Sequence, residues 1–245
     1  MTASVTRREA LGLLGAGAFV ALAAACGGGS SDSSSPQSKR STGTSSSSPT
    51  SSPATADAST TSCVLTPEMT EGPYYIDGEA VRSDVTEGKP GTPLRLDLTV
   101  VDADSCTPIP GAAVEIWHAD ATGNYSGFGN ASSNTTFLRG IQNADASGKV
   151  TFRTIYPGWY QGRAVHIHVK AHTGGNEVHT TQLFFDETTS DTVFASSPYN
   201  TRPGRRTTNA QDSIYRDGGA QATPTFTKDG SGYVGTLTVG IINGV

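Results

Sequence analysis

The stretch PGWYQGRAVHIHVKAH, residues Pro157 to His172, alternates apolar and polar side chains from Ala164 onward. Successive side chains on a β-strand point to opposite faces, so His166 and His168 project the same way, roughly 7 Å apart, while Val165, Ile167 and Val169 project the other way. The stretch therefore predicts a half-buried strand whose polar face carries two imidazoles, the beginnings of a metal site. The same two-residue period recurs upstream, where Leu94, Leu96, Leu98 and Val100 alternate with Arg95, Asp97 and Thr99. Further strands are predicted from Val114 to His118, Lys149 to Ile155, Val178 to Phe185 and Tyr233 to Ile241, with turns at Thr107 to Gly111 and Asp145 to Gly148. No segment sustains a 3.6-residue period, so the expected fold is all-β, a sandwich of mainly antiparallel strands. The arginine-rich region from Pro198 to Gly219 is expected to be irregular and solvated, with a short helix near Ala210 to Tyr215.

The N-terminal region reads differently. Arg7 and Arg8 precede an apolar run from Leu11 to Ala25 that ends at Cys26, the pattern of a twin-arginine export signal over residues 1–25. Leu22 to Gly27 resembles a bacterial lipoprotein box, which makes Cys26 a candidate for lipidation and gives an exported, envelope-anchored or secreted protein. Residues 26–62 are rich in Ser, Thr, Pro and Gly, and from Gly27 on they lack Leu, Ile, Val and aromatic residues, so a disordered tether is expected there. That leaves residues 63–245 as one folded domain.

The full chain carries a formal net charge of −5, and removal of residues 1–25 makes it about −6. A mildly acidic surface argues against nucleic acid as a partner, and membrane contact is expected only through the lipid anchor. Cys63 and Cys106 remain, without metal-finger spacing. In an exported protein such a pair is expected to form a disulfide, stabilising by roughly 3–4 kcal/mol.

Five histidines are present: His118, His166, His168, His172 and His179. A pair of imidazoles alone suits Zn, Cu, Ni or Fe. No carboxylate lies close in sequence to the pair, but Tyr160 does, and an earlier loop, Gly123 to Phe128, offers Tyr125. A phenol has a pKa near 10 and becomes a good ligand only where a strongly Lewis-acidic cation displaces its proton. Two phenolates with two imidazoles therefore favour ferric iron over zinc.

Four segments in order, TEGPYY (Thr70 to Tyr75), PIPGAAVEIWHADATGNYSGF (Pro108 to Phe128), DASGKVTFRTIYPGWY (Asp145 to Tyr160) and RAVHIHVKAH (Arg163 to His172), resemble the intradiol ring-cleavage dioxygenases. That resemblance implies a β-sandwich holding non-haem Fe(III) and cleaving a catechol with both atoms of O2, between its hydroxyl-bearing carbons, to a muconate-type diacid. It implies that Tyr125, Tyr160, His166 and His168 hold the iron, with Tyr160 the ligand that leaves when substrate binds. It places Arg163 beside the substrate ring and Gln182 with it, and sets Tyr74 and Tyr75 at the pocket edge. Trp117 is expected in the core, and His118, His172 and His179 are expected to be structural or exposed. Iron that rests in the ferric state needs no external reductant, which suits an exported enzyme.

The chain departs from the resemblance twice. Only five residues separate Tyr160 from His166, so a more open pocket is expected, and the helical dimerisation segment of the catechol-specific branch has no counterpart, which leaves the oligomeric state open. Two other readings compete: a non-catalytic envelope binding module on the same sandwich, and a copper or zinc enzyme on the His166–His168 pair.

Overall fold

A computed structural model describes residues 63–129 and 132–242 of the chain. The expected export signal, the lipidation candidate Cys26 and the tether up to residue 62 lie outside the described residues. Eight strands run in chain order: β1 (Pro93–Asp102), β2 (Ala113–Trp117), β3 (Arg139–Asn143), β4 (Lys149–Ile155), β5 (His166–Thr173), β6 (Asn176–Phe184), β7 (Thr225–Asp229) and β8 (Gly232–Ile241). They form two four-stranded sheets, ordered β4-β1-β8-β7 and β3-β2-β5-β6. Among these eight strands the pairings are antiparallel except β1 with β8, which runs parallel from Leu94 opposite Tyr233 to Asp102 opposite Ile241. The expected sandwich is therefore present. Among the described residues no helix is long and apolar enough to cross a membrane.

The alternation predicted for β1 becomes its packing: Leu94, Leu96, Leu98 and Val100 are buried and join Val114, Ile116, Ile167, Val169 and Leu183 of the other sheet in one core. Each such fully buried aliphatic side chain contributes about 1.5–3 kcal/mol relative to exposure. The second sheet is buried on both faces. Its outward face carries Trp117, His166, His168, Lys170 and Gln182, and a separate aromatic cluster of Trp117, Tyr125, Tyr74, Tyr75, Phe128 and Tyr160 covers part of it. The chain segment before β1 adds to that cover, because the Met69 amide donates to the Thr180 carbonyl (2.8 Å) and the Thr181 hydroxyl donates to the Pro67 carbonyl (2.7 Å) on β6.

Three elements differ from expectation. Strands β3 and β7 were not anticipated, because RGIQN and TFTKD are short and carry no apolar alternation. An eight-residue helix, α1 (Glu187–Phe194), forms where no helical period is visible; the Asp186 carboxylate caps it by accepting from the Thr189 amide at 2.7 Å. The region from Pro198 to Gly219 is also not simply solvated. It holds short 3-10 turns at Tyr199–Thr201 and Asn209–Gln211, and buries Tyr199, Asn209 and Asp212.

Just past β2, His118 is fully buried and doubly bonded: its ring meets the Ala119 carbonyl at 2.8 Å and the Thr154 hydroxyl at 2.7 Å. The carbonyl partner assigns the proton to Nδ1, leaving Nε2 to accept from Thr154. Burial depresses its pKa to about 4, against the partly compensating Ala119 carbonyl and Asp120. The unfolded chain, titrating near 6.5, binds the proton first, so stability present above that value is lost as pH falls towards 4. One such group costs about 2 kcal/mol between pH 7 and pH 5. Denaturant unfolding of His118→Gln at the two pH values is expected to show that difference reduced by this amount, and an unchanged difference would refute the assignment.

Candidate metal centre

Two loops and one strand bring four donor side chains together. On β5 the period of two aims His166 and His168 at the same space, and their Nε2 atoms lie 3.1 Å apart. The Tyr160 hydroxyl is 3.1 Å from His166 Nε2, and the Tyr125 hydroxyl is 3.4 Å from the same atom. Ligands bound at about 2.0–2.1 Å to one ion at right angles would stand about 3 Å apart, so these separations fit donors that share a cation.

Local sequence explains why each donor is where it is. Tyr125 follows a turn organised by Asp120, whose carboxylate accepts from the Thr122 and Asn124 amides at 2.9 and 3.0 Å and pairs with Lys89 at 2.7 Å. Gly123 in that turn has φ +85°, and a Cβ there would sit 2.3 Å from the Trp159 carbonyl. Gly158 lies equally close to the Asp120 carbonyl, at 2.2 Å from a notional Cβ, so the two tyrosine-bearing loops interlock through glycines. Arg139, fully buried on β3, donates to the Ser126 hydroxyl and carbonyl, both at 2.8 Å, and so clamps the residue after Tyr125. None of these supports was anticipated from sequence, since each pairs residues on separate loops.

The two imidazoles are held differently. His166 Nδ1 meets the Ala164 carbonyl at 2.6 Å, which assigns its proton there and leaves the Nε2 lone pair facing the other donors. His168 is stacked on Trp117, ring centroids 4.8 Å apart and planes 4° from parallel, and its Nδ1 finds no hydrogen-bond partner among the described residues. Burial, with the Arg163 charge second, lowers the His166 pKa to about 3, and burial with His166 beside it drives His168 well below its usual value. Both rings are therefore neutral, the form that ligates a metal. Burial raises both phenols, Tyr125 well above 10, so their ionisation at neutral pH requires a strong Lewis acid.

Around the donors stand aromatic rings and the guanidinium groups of Arg139 and Arg163. Tyr74 stacks on Tyr125 at 4.3 Å and 16°, and meets Phe128 and Tyr160 edge-on. Tyr74, Tyr125 and Phe128, with Gly123, Asn124, Gly129 and Ser132, line a cleft of about 320 Å³. Arg163 donates through Nε to Asp212 at 3.0 Å and through Nη2 to the Gln182 side-chain carbonyl. Gln182 is fully buried and its amide donates to the Thr70 carbonyl at 2.7 Å, so both ends of that side chain are engaged and its contact is with Arg163.

Of the remaining sequence candidates, His172 and His179 face carboxylates instead of the four donors, whereas Trp117 touches one donor, His168. His172 faces Glu115 at 3.5 Å and His179 faces Glu68 at 3.8 Å, while Trp117 is fully buried but belongs to the aromatic cluster instead of the main core. Tyr75 packs on Trp117 at 5.1 Å and under the Lys170 ammonium at 3.6 Å. At the short Tyr160 to His166 connection, Gln161 and Gly162 are exposed, whereas Tyr160 itself is half-buried. Cys63 and Cys106 are joined by a disulfide across 43 residues. Among the described residues no group of three or more His, Cys, Asp or Glu could hold a metal, so a metal at these donors relies on the phenols.

A family model described as Dioxygenase, Dioxygenase_C, matches residues 70–201. Catechol 1,2-dioxygenase 1 of Acinetobacter lwoffii is 38% identical over 101 residues, spanning 39% of this chain and 32% of that protein. The structure titled intradiol ring-cleavage dioxygenase from Tetranychus urticae has a TM-score of 0.68 at 38% identity and covers 73% of this chain and 94% of that one. The dioxygenase domain of a dioxygenase carbohydrate-binding protein fusion from Streptomyces sp. SirexAA-E has a TM-score of 0.57 at 31% identity, covering 72% of this chain and 97% of that one. The chain spans between a third and a little over half of the length of the first curated relatives it matches, 32%, 56% and 51%.

Proposed function

Because this chain belongs to the intradiol ring-cleavage dioxygenase family, we propose that it holds ferric iron on Tyr125, Tyr160, His166 and His168 and opens a catecholic ring with O2 to a muconate-type diacid. The observation that carries the reading is the convergence of two phenols and a second neutral imidazole within 3.1–3.4 Å of His166 Nε2. The donor set fits a hard trivalent ion, because raised phenol pKa values are overcome only by a strong Lewis acid. Iron bound there supplies the electron withdrawal from the bound catecholate that lets the ring react with O2.

The chain's own residues divide the remaining work. Tyr125 is buried and stacked under Tyr74, so it is the phenolate that stays in place. Tyr160 is half-buried beside an exposed turn, so it can swing away, its Oη accepting a proton from the incoming catechol. Arg163, whose charge opposes the upward shift of both tyrosines, places a permanent cation beside the position where negative charge accumulates on the ring. The aromatic walls of Tyr74 and Phe128 suit a flat ring.

Residues 1–25 and Cys26 support a further part of the proposal, an exported and lipid-anchored enzyme, since the twin-arginine and lipoprotein patterns are contiguous there.

The test is oxygen uptake by iron-loaded protein against a panel of catechol, protocatechuate, hydroxyquinol and larger catechols. Uptake with at least one of them is expected. Catechol binding without uptake favours a binding module, and stoichiometric copper or zinc in place of iron favours a different enzyme.

A further inference from the structure

Asp212 was not singled out by the sequence, yet it is one of the most connected side chains near the centre. It is 1% exposed. Its Oδ2 accepts from Arg163 Nε at 3.0 Å and from the Ala164 amide at 2.8 Å, while Oδ1 accepts from the Ile214 amide at 2.9 Å. Burial alone would raise its pKa, but the Ala164 amide, the Arg163 charge and the Ile214 amide together hold it below the usual carboxylate range. The peptide that follows the Ala164 amide ends in the carbonyl that accepts from His166 Nδ1 at 2.6 Å. One carboxylate thus grips both the guanidinium of Arg163 and the residue whose carbonyl sets the plane of the His166 ring.

Asp212 is itself held from several sides. It ends the 3-10 turn Asn209–Gln211, closed by a capping box between Thr208 and Gln211 in which the Thr208 amide meets the Gln211 side chain at 3.0 Å. Asn209 donates from its side chain to the Phe185 carbonyl at 2.8 Å and from its amide to Glu187 at 2.6 Å. Arg206 pairs with Glu187 and with Asp191, tying the approach to this turn onto α1. On the far side of Arg163, Gln182 completes a two-point grip anchored on the Thr70 carbonyl.

We propose that Asp212 is a positioning residue that couples Arg163, on the substrate side of the centre, to His166, on its metal side. The inference rests on the function proposed above. Asparagine at this position keeps the shape but offers one acceptor atom where the carboxylate offers two, so its NH2 group must face either Ile214 N–H or the pair formed by Arg163 Nε–H and Ala164 N–H. Either choice sets donor against donor and loosens the grip.

The experiment compares wild type, Asp212→Asn, Arg163→Met and the double variant as full chains. Asp212→Asn is expected to bind iron about 10- to 100-fold more weakly, and to lose kcat and kcat/KM together by about 10- to 100-fold, the pattern of an interaction made in the transition state. In the Arg163→Met background the added Asp212→Asn change is expected to leave kcat nearly unaltered while still lowering iron affinity. Wild-type iron affinity and kcat in Asp212→Asn, or additive losses of kcat in the double variant, would overturn the proposal. Proton exchange at Arg163 Nε–H in the wild-type apoprotein gives a readout independent of turnover and of the folding of the variant: slow exchange is expected, and fast exchange overturns the coupling. A wild-type protein that neither binds iron nor takes up oxygen would instead overturn the proposed function and leave the exchange readout standing.

Discussion

His168→Ala is expected to abolish stoichiometric iron binding, the visible phenolate-to-iron colour and ring-cleaving turnover together. Among the described residues no other histidine is free to replace the missing donor: His118 is committed to Ala119 and Thr154, and His172 and His179 face Glu115 and Glu68. Loss of a residue that merely supports a metal ligand costs about 10- to 100-fold in affinity or activity, so loss of a ligand is expected to exceed that range. The substitution also removes a ring that is 1% exposed and stacked on Trp117, and a cavity of that kind is itself destabilising. His168→Gln, closer in volume, separates the two effects. Metal analysis and a thermal melt on the same samples are expected to show a folded Gln variant without iron. A His168→Ala protein that retains one iron per chain and its turnover would remove His168 from the donor set.

The second large effect falls on stability. Replacing both Cys63 and Cys106 by serine releases a constraint spanning 43 residues, worth about 4 kcal/mol in the chain-entropy model. For a domain of this size that corresponds to a fall in Tm of about 8–16 °C. The consequence reaches the centre, because the chain that leaves Cys63 is laid along two sheets before it arrives at the site. The Thr66 amide donates to the Gly240 carbonyl at 2.9 Å, the Met69 amide to Thr180, and the Thr70 carbonyl then receives the Gln182 side chain that steadies Arg163. Calorimetry of the oxidised wild type against the double serine variant measures the effect. Equal melting temperatures would show that the sheet contacts alone hold this segment.

What the sequence made legible, and what it left hidden, follows from the range of the interactions concerned. The period-two alternations on β1 and β5 are local, and both reappear as packed strands, with Leu96 and Leu98 inside and the histidines of β5 on the opposite face of their sheet from Ile167. The short strands β3 and β7 carry no such pattern because neither alternates an apolar face. Helix α1 has weak helix formers, ETTSDTVF, and only its cap, Asp186, offers a readable signal. The parallel pairing of β1 with β8 joins the two ends of the domain and leaves no mark in either segment.

The centre shows the same division. His166, His168 and Tyr160 lie within nine residues, and Tyr125 was offered by the earlier loop Gly123 to Phe128, a placement that the resemblance to a known family then implied as well. The residues that hold them in place were invisible: Asp212 stands 49 positions after Arg163, and Arg139 is 13 positions after Ser126. Carboxylates and arginines in loops look alike in sequence whether they are solvated or buried, and only the folded chain separates them.

The measurement that bears most directly on the proposed activity is ring cleavage of catechol by iron-loaded protein under ¹⁸O2, with mass analysis of the product. The account predicts one O2 consumed per catechol and a muconate-type diacid carrying both labelled atoms. No oxygen uptake, or an aldehyde product from cleavage outside the two hydroxyl-bearing carbons, would contradict it.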